Sequence, residues 1–426
     1  MKIGKLCLLV LSVFVSVKAY SQVINSPYSS NGIGEIAFQG LPNNFAMGEL
    51  SLGTPSPWHI NIENPSLLTY NTLSCFQVGL ESDLRRLSST EESNREAGIG
   101  LRYLAISFPV VSQARWVTSF ALLPLSSVNY HTVSYNTIDE TYGAKTDYFG
   151  DGGISQLIWA NGFRIYKTLA IGVKASYVFG AINDQTNVKL GIDSLIRDGF
   201  FISNYVVSYK ENTSYSDFNF SVGASYRARL SDAKFLNFGA IYNLSTELSG
   251  KRDTFYERQT LSGSVIQEQQ ITTNEQAAFQ LPISYGFGFS YEKIGNYKMG
   301  VDFRSQQWSQ SKSLELGEEF RNALSISVGG EYTPNYQSVN NYFARAKYRV
   351  GFSYKQSPYI LNEQEINDFG INFGGSLPMS NASSLDLGFK FGVRGTTKNG
   401  LIRENYFQFV LGATVNDRWF IKRRYD

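Results

Sequence analysis

The sequence predicts an all-β chain: a closed antiparallel transmembrane barrel of fourteen strands with an N-terminal plug, or hatch, segment. Three observations predict it. First, the C-terminal stretch alternates strictly. Leu385, Leu387, Phe389, Phe391 and Val393 interleave with Asp386, Gly388, Lys390, Gly392 and Arg394. After a polar loop, Phe407, Phe409, Leu411, Ala413 and Val415 interleave with Gln408, Val410, Gly412, Thr414 and Asn416. Period two is the mark of a strand with one apolar face. A soluble sandwich would show the same local pattern, so recurrence and context decide. Second, aromatic residues make up 15% of the chain and charged ones only 17%, with 38 glycines, 27 tyrosines and 30 phenylalanines. That balance suits short-turned strands with aromatic girdles and a small-residue lumen. Third, a secretory signal opens the chain and no later run is long and apolar enough for a spanning helix, so a membrane would be crossed by strands.

The signal peptide is residues 1–21. Lys2 and Lys5 precede an apolar run over 6–17, and Ala19-Tyr20-Ser21 is a small-x-small cleavage site before Gln22. Cys7 lies inside that run, so the mature chain keeps only Cys75, which excludes an intrachain disulfide and a thiolate metal site. A net charge of +2 is too small to argue for nucleic acid.

Residues 22–70 follow no period. Ser26-Pro27-Tyr28, Gly32-Ile33-Gly34, Leu41-Pro42 and Thr54-Pro55-Ser56-Pro57 interrupt the segment, and it ends on Asn64-Pro65-Ser66. Ile24, Ile33, Ile36, Phe38, Leu41, Phe45, Met47, Leu50, Leu52 and Trp58 make it too apolar for a disordered leader. A folded plug is the expectation, with Asn64, Pro65 and Ser66 as its motif.

Residues 71–426 are assigned to the barrel and a short periplasmic tail. Fourteen strand candidates fall at 73–83, 98–110, 116–130, 154–166, 169–180, 217–229, 235–244, 279–292, 297–306, 324–333, 343–354, 368–377, 385–394 and 406–416. Turns at 111–115, 167–168, 231–234, 293–296 and 381–384 are short, while connections at 139–153, 183–203, 251–276 and 313–322 read as long loops. Outer-membrane barrels keep their short turns in the periplasm.

The lumen face carries charge. Lys298, Asp302 and Arg304 point inward from the ninth strand, Glu331 from the tenth, Arg345, Lys347 and Arg349 from the eleventh, and Asp386, Lys390 and Arg394 from the thirteenth. The basic excess could select anions. Alternatively Glu331 and Asp386 pair with the cations across neighbouring strands, because unpaired buried charge is costly. Pro124 falls inside the third strand, where it removes a ladder hydrogen bond. Either the wall bends or parts there, or the strand stops at Leu123 and Pro124 opens an external loop. Phe407, Phe409 and Leu411 facing lipid, with Trp419 and Phe420 at the periplasmic interface, are expected to carry the signal read by the outer-membrane assembly machinery. His59 and His131 stand in no triad or metal-ligand spacing, and no Walker or dinucleotide loop occurs, so neither an enzyme nor a cofactor is expected.

Several motifs carry a resemblance that covers nearly the whole mature chain. They are Ser26-Pro27-Tyr28-Ser29, Gly32-Ile33-Gly34, Ala46-Met47-Gly48 and Asn64-Pro65-Ser66, then Gly329-Gly330-Glu331-Tyr332-Thr333-Pro334 and Tyr348-Arg349-Val350-Gly351. Arg394-Gly395-Thr396-Thr397-Lys398-Asn399-Gly400-Leu401 and the closing Asn416-Asp417-Arg418-Trp419 complete the set. With them the chain resembles the FadL family of fourteen-stranded outer-membrane barrels, in the Bacteroidetes branch that includes PorV-like subunits of the type 9 secretion apparatus. Ser30-Asn31 and Ser66 depart from the family's usual residues. The FadL resemblance implies passive uptake of small hydrophobic compounds across the outer membrane, with Pro124 near the place where relatives open sideways into the lipid. The PorV resemblance implies a non-conducting structural or shuttle subunit of a secretion or assembly machine. Expected partners are therefore outer-membrane lipid, the assembly machinery, and either a hydrophobic ligand or machine subunits.

Overall fold

Each stretch of period two becomes a strand, and the strands close on one another. The computed structural model describes residues 25–90, 92–111, 114–310, 320–380 and 382–419. The expected signal peptide and Phe420 lie outside these. The wall strands are β1 (Ser74–Ser88), β2 (Ser93–Val111), β3 (Trp116–Thr137), β4 (Tyr142–Arg164), β5 (Leu169–Ile192) and β6 (Tyr205–Ser231). β7 runs Lys234–Asn243 and continues as Thr246–Thr260; β8 runs Val265–Leu281 and continues as Ser284–Lys293. They are followed by β9 (Tyr297–Gln306), β10 (Ala323–Tyr332), β11 (Lys347–Leu361), β12 (Gln364–Pro378), β13 (Ser384–Arg394) and β14 (Arg403–Asp417). The breaks in β7 and β8 face each other, and Thr246↔Leu281 and Asn243↔Ser284 keep one register across them. β14 pairs with β1 from Arg403↔Ser88 to Asp417↔Ser74, which closes a fourteen-stranded antiparallel barrel. Closure removes the free edges an open sheet would expose.

Two expectations are corrected. The stretches 139–153 and 251–276 are largely ladder rather than loop, and 183–203 is ladder as far as Ile192, because β3 to β8 run on past the apolar band. Both faces of the sheet are polar there, so the alternation fades while backbone pairing, which no side-chain pattern reports, continues. The eleventh strand also starts later than residue 343. Asn341 accepts from the backbone N–H of Ala344 and caps a helical turn, α1 (Tyr342–Arg345), so Arg345 is not on a strand.

Outward positions form an apolar band. Phe373 and Phe389 stack at 5.2 Å, and Phe391 and Phe407 lie 4.7 Å apart between centroids. Trp116 stacks on Phe163 at 5.9 Å near the short-turn rim. Trp419, just beyond β14, is exposed. Among the described residues no helix is long and apolar enough to cross a membrane.

Much of residues 25–72 is buried against the strands. Ile33, Leu41, Leu50, Leu52, Ile60 and Leu68 are at most 1% exposed. Inward glycines make the room. A Cβ on Gly239 would sit 1.8 Å from the Leu52 carbonyl oxygen, and one on Gly351 would sit 2.3 Å from the Gly48 nitrogen, so backbone meets backbone with no side chain between. Asn64 accepts from the Ser66 N–H and hydroxyl at 3.2 and 2.7 Å and caps the turn Pro65–Tyr70, while its own amide donates to the Leu52 carbonyl at 2.8 Å.

Phe409 and Leu411 stand midway down the outer band of β14. Lysine at either position is expected to cost ~2–4 kcal/mol in a bilayer, read as a lower urea midpoint and a smaller heat-modifiable fraction on gels. An unchanged midpoint would contradict the outward assignment.

Candidate functional site

One seam of the wall is only half closed. β2 and β3 pair from Val111↔Trp116 to Leu104↔Leu122 and no further. Above that point β2 still pairs with β1 as far as Ser93, and β3 with β4 as far as Thr137. Pro124 stands two residues past the last shared pair. It supplies no N–H, and the β3–β4 register skips Leu125 just after it. On β2 an extra residue between Gly79↔Tyr103 and Leu80↔Leu101 makes a bulge, so Arg102 and Tyr103 are both buried.

The N-terminal segment covers part of the freed edge. Glu35 and Ile36 pair with Ser127 and Ser126. The Ala37 N–H donates to the Leu125 carbonyl at 3.0 Å, and the Gln39 amide donates to that of Pro124 at 3.3 Å. Residues 35–39 thereby separate two chambers of about 220 and 230 Å³. The larger lies behind the seam. Ile36, Phe38, Phe45, Ile99, Leu101 and Pro124 form its apolar side, and Asp83, Arg85, Lys390 and Arg394 lie on the other. By volume alone the space exceeds the roughly 150 Å³ of a cavity that holds benzene.

Most of the inward charges are paired, and several of the pairs join the N-terminal segment to the wall. Glu35 meets Arg85 at 2.9 Å and Arg394 at 2.6 Å. Glu49 meets Lys355 at 2.7 Å and Lys390 at 3.1 Å. Glu63 meets Arg304 at 2.7 Å; Arg304 also lies 3.2 Å from Asp302, whose carboxylate accepts from the Ser51 and Leu52 N–H groups at 2.7 and 2.9 Å. Glu331 is 2.8 Å from Arg349 and 3.8 Å from Lys347, and Arg349 is 3.8 Å from Asp386. Lys298 lies 3.4 Å from Glu292 and donates to the Pro55 carbonyl. Of the expected lumen charges, Asp302, Arg304, Glu331, Lys347, Arg349, Asp386, Lys390 and Arg394 come together in this network. Arg345 does not: its guanidinium lies 5.6 Å over the Tyr342 ring. That Glu35, Glu49 and Glu63 are the partners was not legible beforehand, because an aperiodic segment assigns no face to its side chains. The basic excess on the strands was the available signal.

Burial opposes ionisation of Glu49, but Lys355 and Lys390 outweigh it and hold the carboxyl at about 2. Burial lowers the His59 imidazole from its ordinary value against the opposing pull of Asp386. A hydroxyl, an imidazole and a carboxylate do meet: Ser56 Oγ lies 3.1 Å from His59 Nδ1, and His59 Nε2 lies 3.1 Å from Asp386. This arrangement ties down a turn. Ser56 Oγ accepts from the Trp58 and His59 N–H groups, and Asp386 also accepts from Ser376 and Thr414. His131 sits away from it, stacked on Phe149 at 4.3 Å and 3.5 Å from Asp147.

The profile of one protein family, BamG, matches residues 3–426. No curated protein matches the chain. Among solved structures it is similar to the Pseudomonas putida toluene transporter TodX, with 15% identity, a TM-score of 0.58 and coverage of 90% of this chain and 99% of that one. The Ralstonia pickettii toluene transporter TbuX aligns at 14% identity and a TM-score of 0.58, over 89% and 99%. A Pseudomonas aeruginosa FadL homologue aligns at 12% and 0.57, over 90% and 99%. At these identities the likeness establishes the fold. With a closed wall, an apolar outer band and this architecture, the chain is a Gram-negative outer-membrane barrel.

Glu49→Gln would leave Lys355 and Lys390 short of a counter-ion and is expected to cost ~3–5 kcal/mol, measured by urea unfolding of the reconstituted barrel. The same carboxylate sets a pH dependence. Its folded value, about 2, lies below the ordinary 4.5, so its contribution is complete above pH 4.5 and falls away as pH drops towards 2. Wild type should lose stability across that window, and Glu49→Gln should lose less.

Proposed function

The chain belongs to the BamG family, and from the geometry of its wall we propose that it admits small hydrophobic compounds through the outer membrane by way of the seam between β2 and β3. One observation carries this: the ladder stops at Leu104↔Leu122 while both strands continue, with a chamber directly behind. A compound leaving the chamber there would reach lipid without crossing a hydrogen-bonded wall. The solved structures of similar fold are named as transporters or channels for toluene and monoaromatic hydrocarbons, which supports this reading and not an enzymatic one.

In this reading residues 22–70 are the plug, fastened at Asn64-Pro65-Ser66, and Pro124 marks the lateral opening. The inward charges, Asp302 to Arg394, hold the plug rather than select ions. Phe407, Phe409, Leu411, Trp419 and Phe420 serve as the assembly signal near the C-terminus. A second reading is favoured by the filled, ion-paired interior: a barrel that conducts nothing and acts as a subunit of an outer-membrane assembly machine. The PorV-like shuttle role and the Bacteroidetes branch gain no support from the likeness to hydrocarbon channels.

Leu101 and Pro124 border the opening from opposite strands. With Cys75 replaced by serine and cysteines placed at those two positions, a bismaleimide should seal the seam. Uptake of toluene into proteoliposomes should then fall about tenfold, as expected if even ~1.4 kcal/mol is added to the barrier, while a monofunctional maleimide has a smaller effect. Equal uptake with the seam sealed would remove the lateral route and favour the subunit reading.

A further inference from the structure

The outward apolar faces of β14, β1 and β2 stop at one level. Phe407 is followed upward by Asn405 and Arg403, Leu84 by Arg86, and Ala97 by Arg95. Register fixes their heights. Phe407↔Leu84 and Leu84↔Ala97 make one row, Asn405↔Arg86 and Arg86↔Arg95 the next, and Arg403↔Ser88 the row above. Three guanidinium groups therefore stand outside the wall on neighbouring strands, two of them directly opposite each other, where like charges repel. Among the described residues none of the three has a carboxylate within ion-pair distance; Arg86 donates one long hydrogen bond, 3.4 Å, to Ser93.

Next to them lies an open groove of about 830 Å³, larger than either interior chamber. Leu84, Ala97, Ile371, Phe391 and Phe407 wall it, and Arg85, Arg86, Arg95 and one carboxylate, Glu96, which accepts from Asn94, border it. β3 to β8 run on past the apolar band at this same end, as the longer extracellular side of such barrels does, so the arginines lie at the headgroup level of the outer leaflet.

We propose that this groove binds a phosphorylated, multiply acylated glycolipid of the outer leaflet. An acyl chain would lie along Ile371, Phe391 and Phe407, and a phosphate would be held by Arg86 and Arg95 with Arg403 above. The arginine fork matches phosphate geometry bidentately and is weakly hydrated, which suits a headgroup boundary. A bound phosphate also removes the repulsion between Arg86 and Arg95. The site is independent of the seam and of any transport.

The test uses the full barrel in nanodiscs with native mass spectrometry, offering lipopolysaccharide, phosphatidylglycerol and phosphatidylethanolamine at equal mole fraction. Wild type should retain lipopolysaccharide preferentially. The triple variant Arg86→Gln, Arg95→Gln, Arg403→Gln should lower its bound fraction about tenfold, since charge-assisted hydrogen bonds are lost. The corresponding triple lysine variant should keep most of it. Ile371→Trp, with the arginines intact, should also lower retention by filling the groove. Heat-modifiability establishes that each variant is folded. Equal retention of phosphatidylethanolamine, or undiminished binding in both the glutamine triple and Ile371→Trp, would overturn the site. Equal retention of phosphatidylglycerol would overturn the outer-leaflet assignment.

Discussion

The interior depends on carboxylates supplied by the N-terminal segment to bases supplied by the wall strands. Glu35, Glu49 and Glu63 reach Arg85, Arg394, Lys355, Lys390 and Arg304 at 2.6 to 3.1 Å. A buried ion pair adds little net stability over an apolar pair of the same shape, but a buried charge whose partner is missing costs several kcal/mol. The wall without residues 25–72 would contain such charges in quantity. The segment and the barrel are therefore conditions for each other: the glycines that admit its backbone, at Gly239 and Gly351 for example, would otherwise line empty space.

The second constraint is the backbone. In lipid every N–H and C=O needs a partner, which is why the strands close into a barrel. The β2–β3 seam breaks that rule over the length above Leu104↔Leu122. Residues 35–39 repair it only in part, through a two-residue bridge and single hydrogen bonds from Ala37 and Gln39. Local opening starts where few bonds hold a segment, so a soft closure lies behind this gap in the wall.

Much of this was legible beforehand. All fourteen strands follow from period two, because each presents one face to lipid and the other to the interior. Pro124 was legible as a fault in the ladder, since proline lacks a donor wherever it stands; that β2 and β3 part above it needed the pairing partners. The extensions of β3 to β8 were misread as loops because a strand wet on both faces shows no alternation. Arg345 was misplaced because a single cap at Asn341 bends four residues out of the strand. The ion-pair partners in the N-terminal segment stayed hidden, since no period fixes which way an irregular chain points. Ser56, His59 and Asp386 were likewise invisible as a group, with more than 300 residues between the histidine and the carboxylate.

In this reading the ion pairs fasten the N-terminal segment to the wall beside the seam. A double-mutant cycle on Glu35 and Arg394, using Glu35→Gln, Arg394→Gln and both together in the reconstituted barrel, measures it most directly. The pair at 2.6 Å should show a coupling energy of ~1–3 kcal/mol. Strict additivity of the two substitutions would contradict the account.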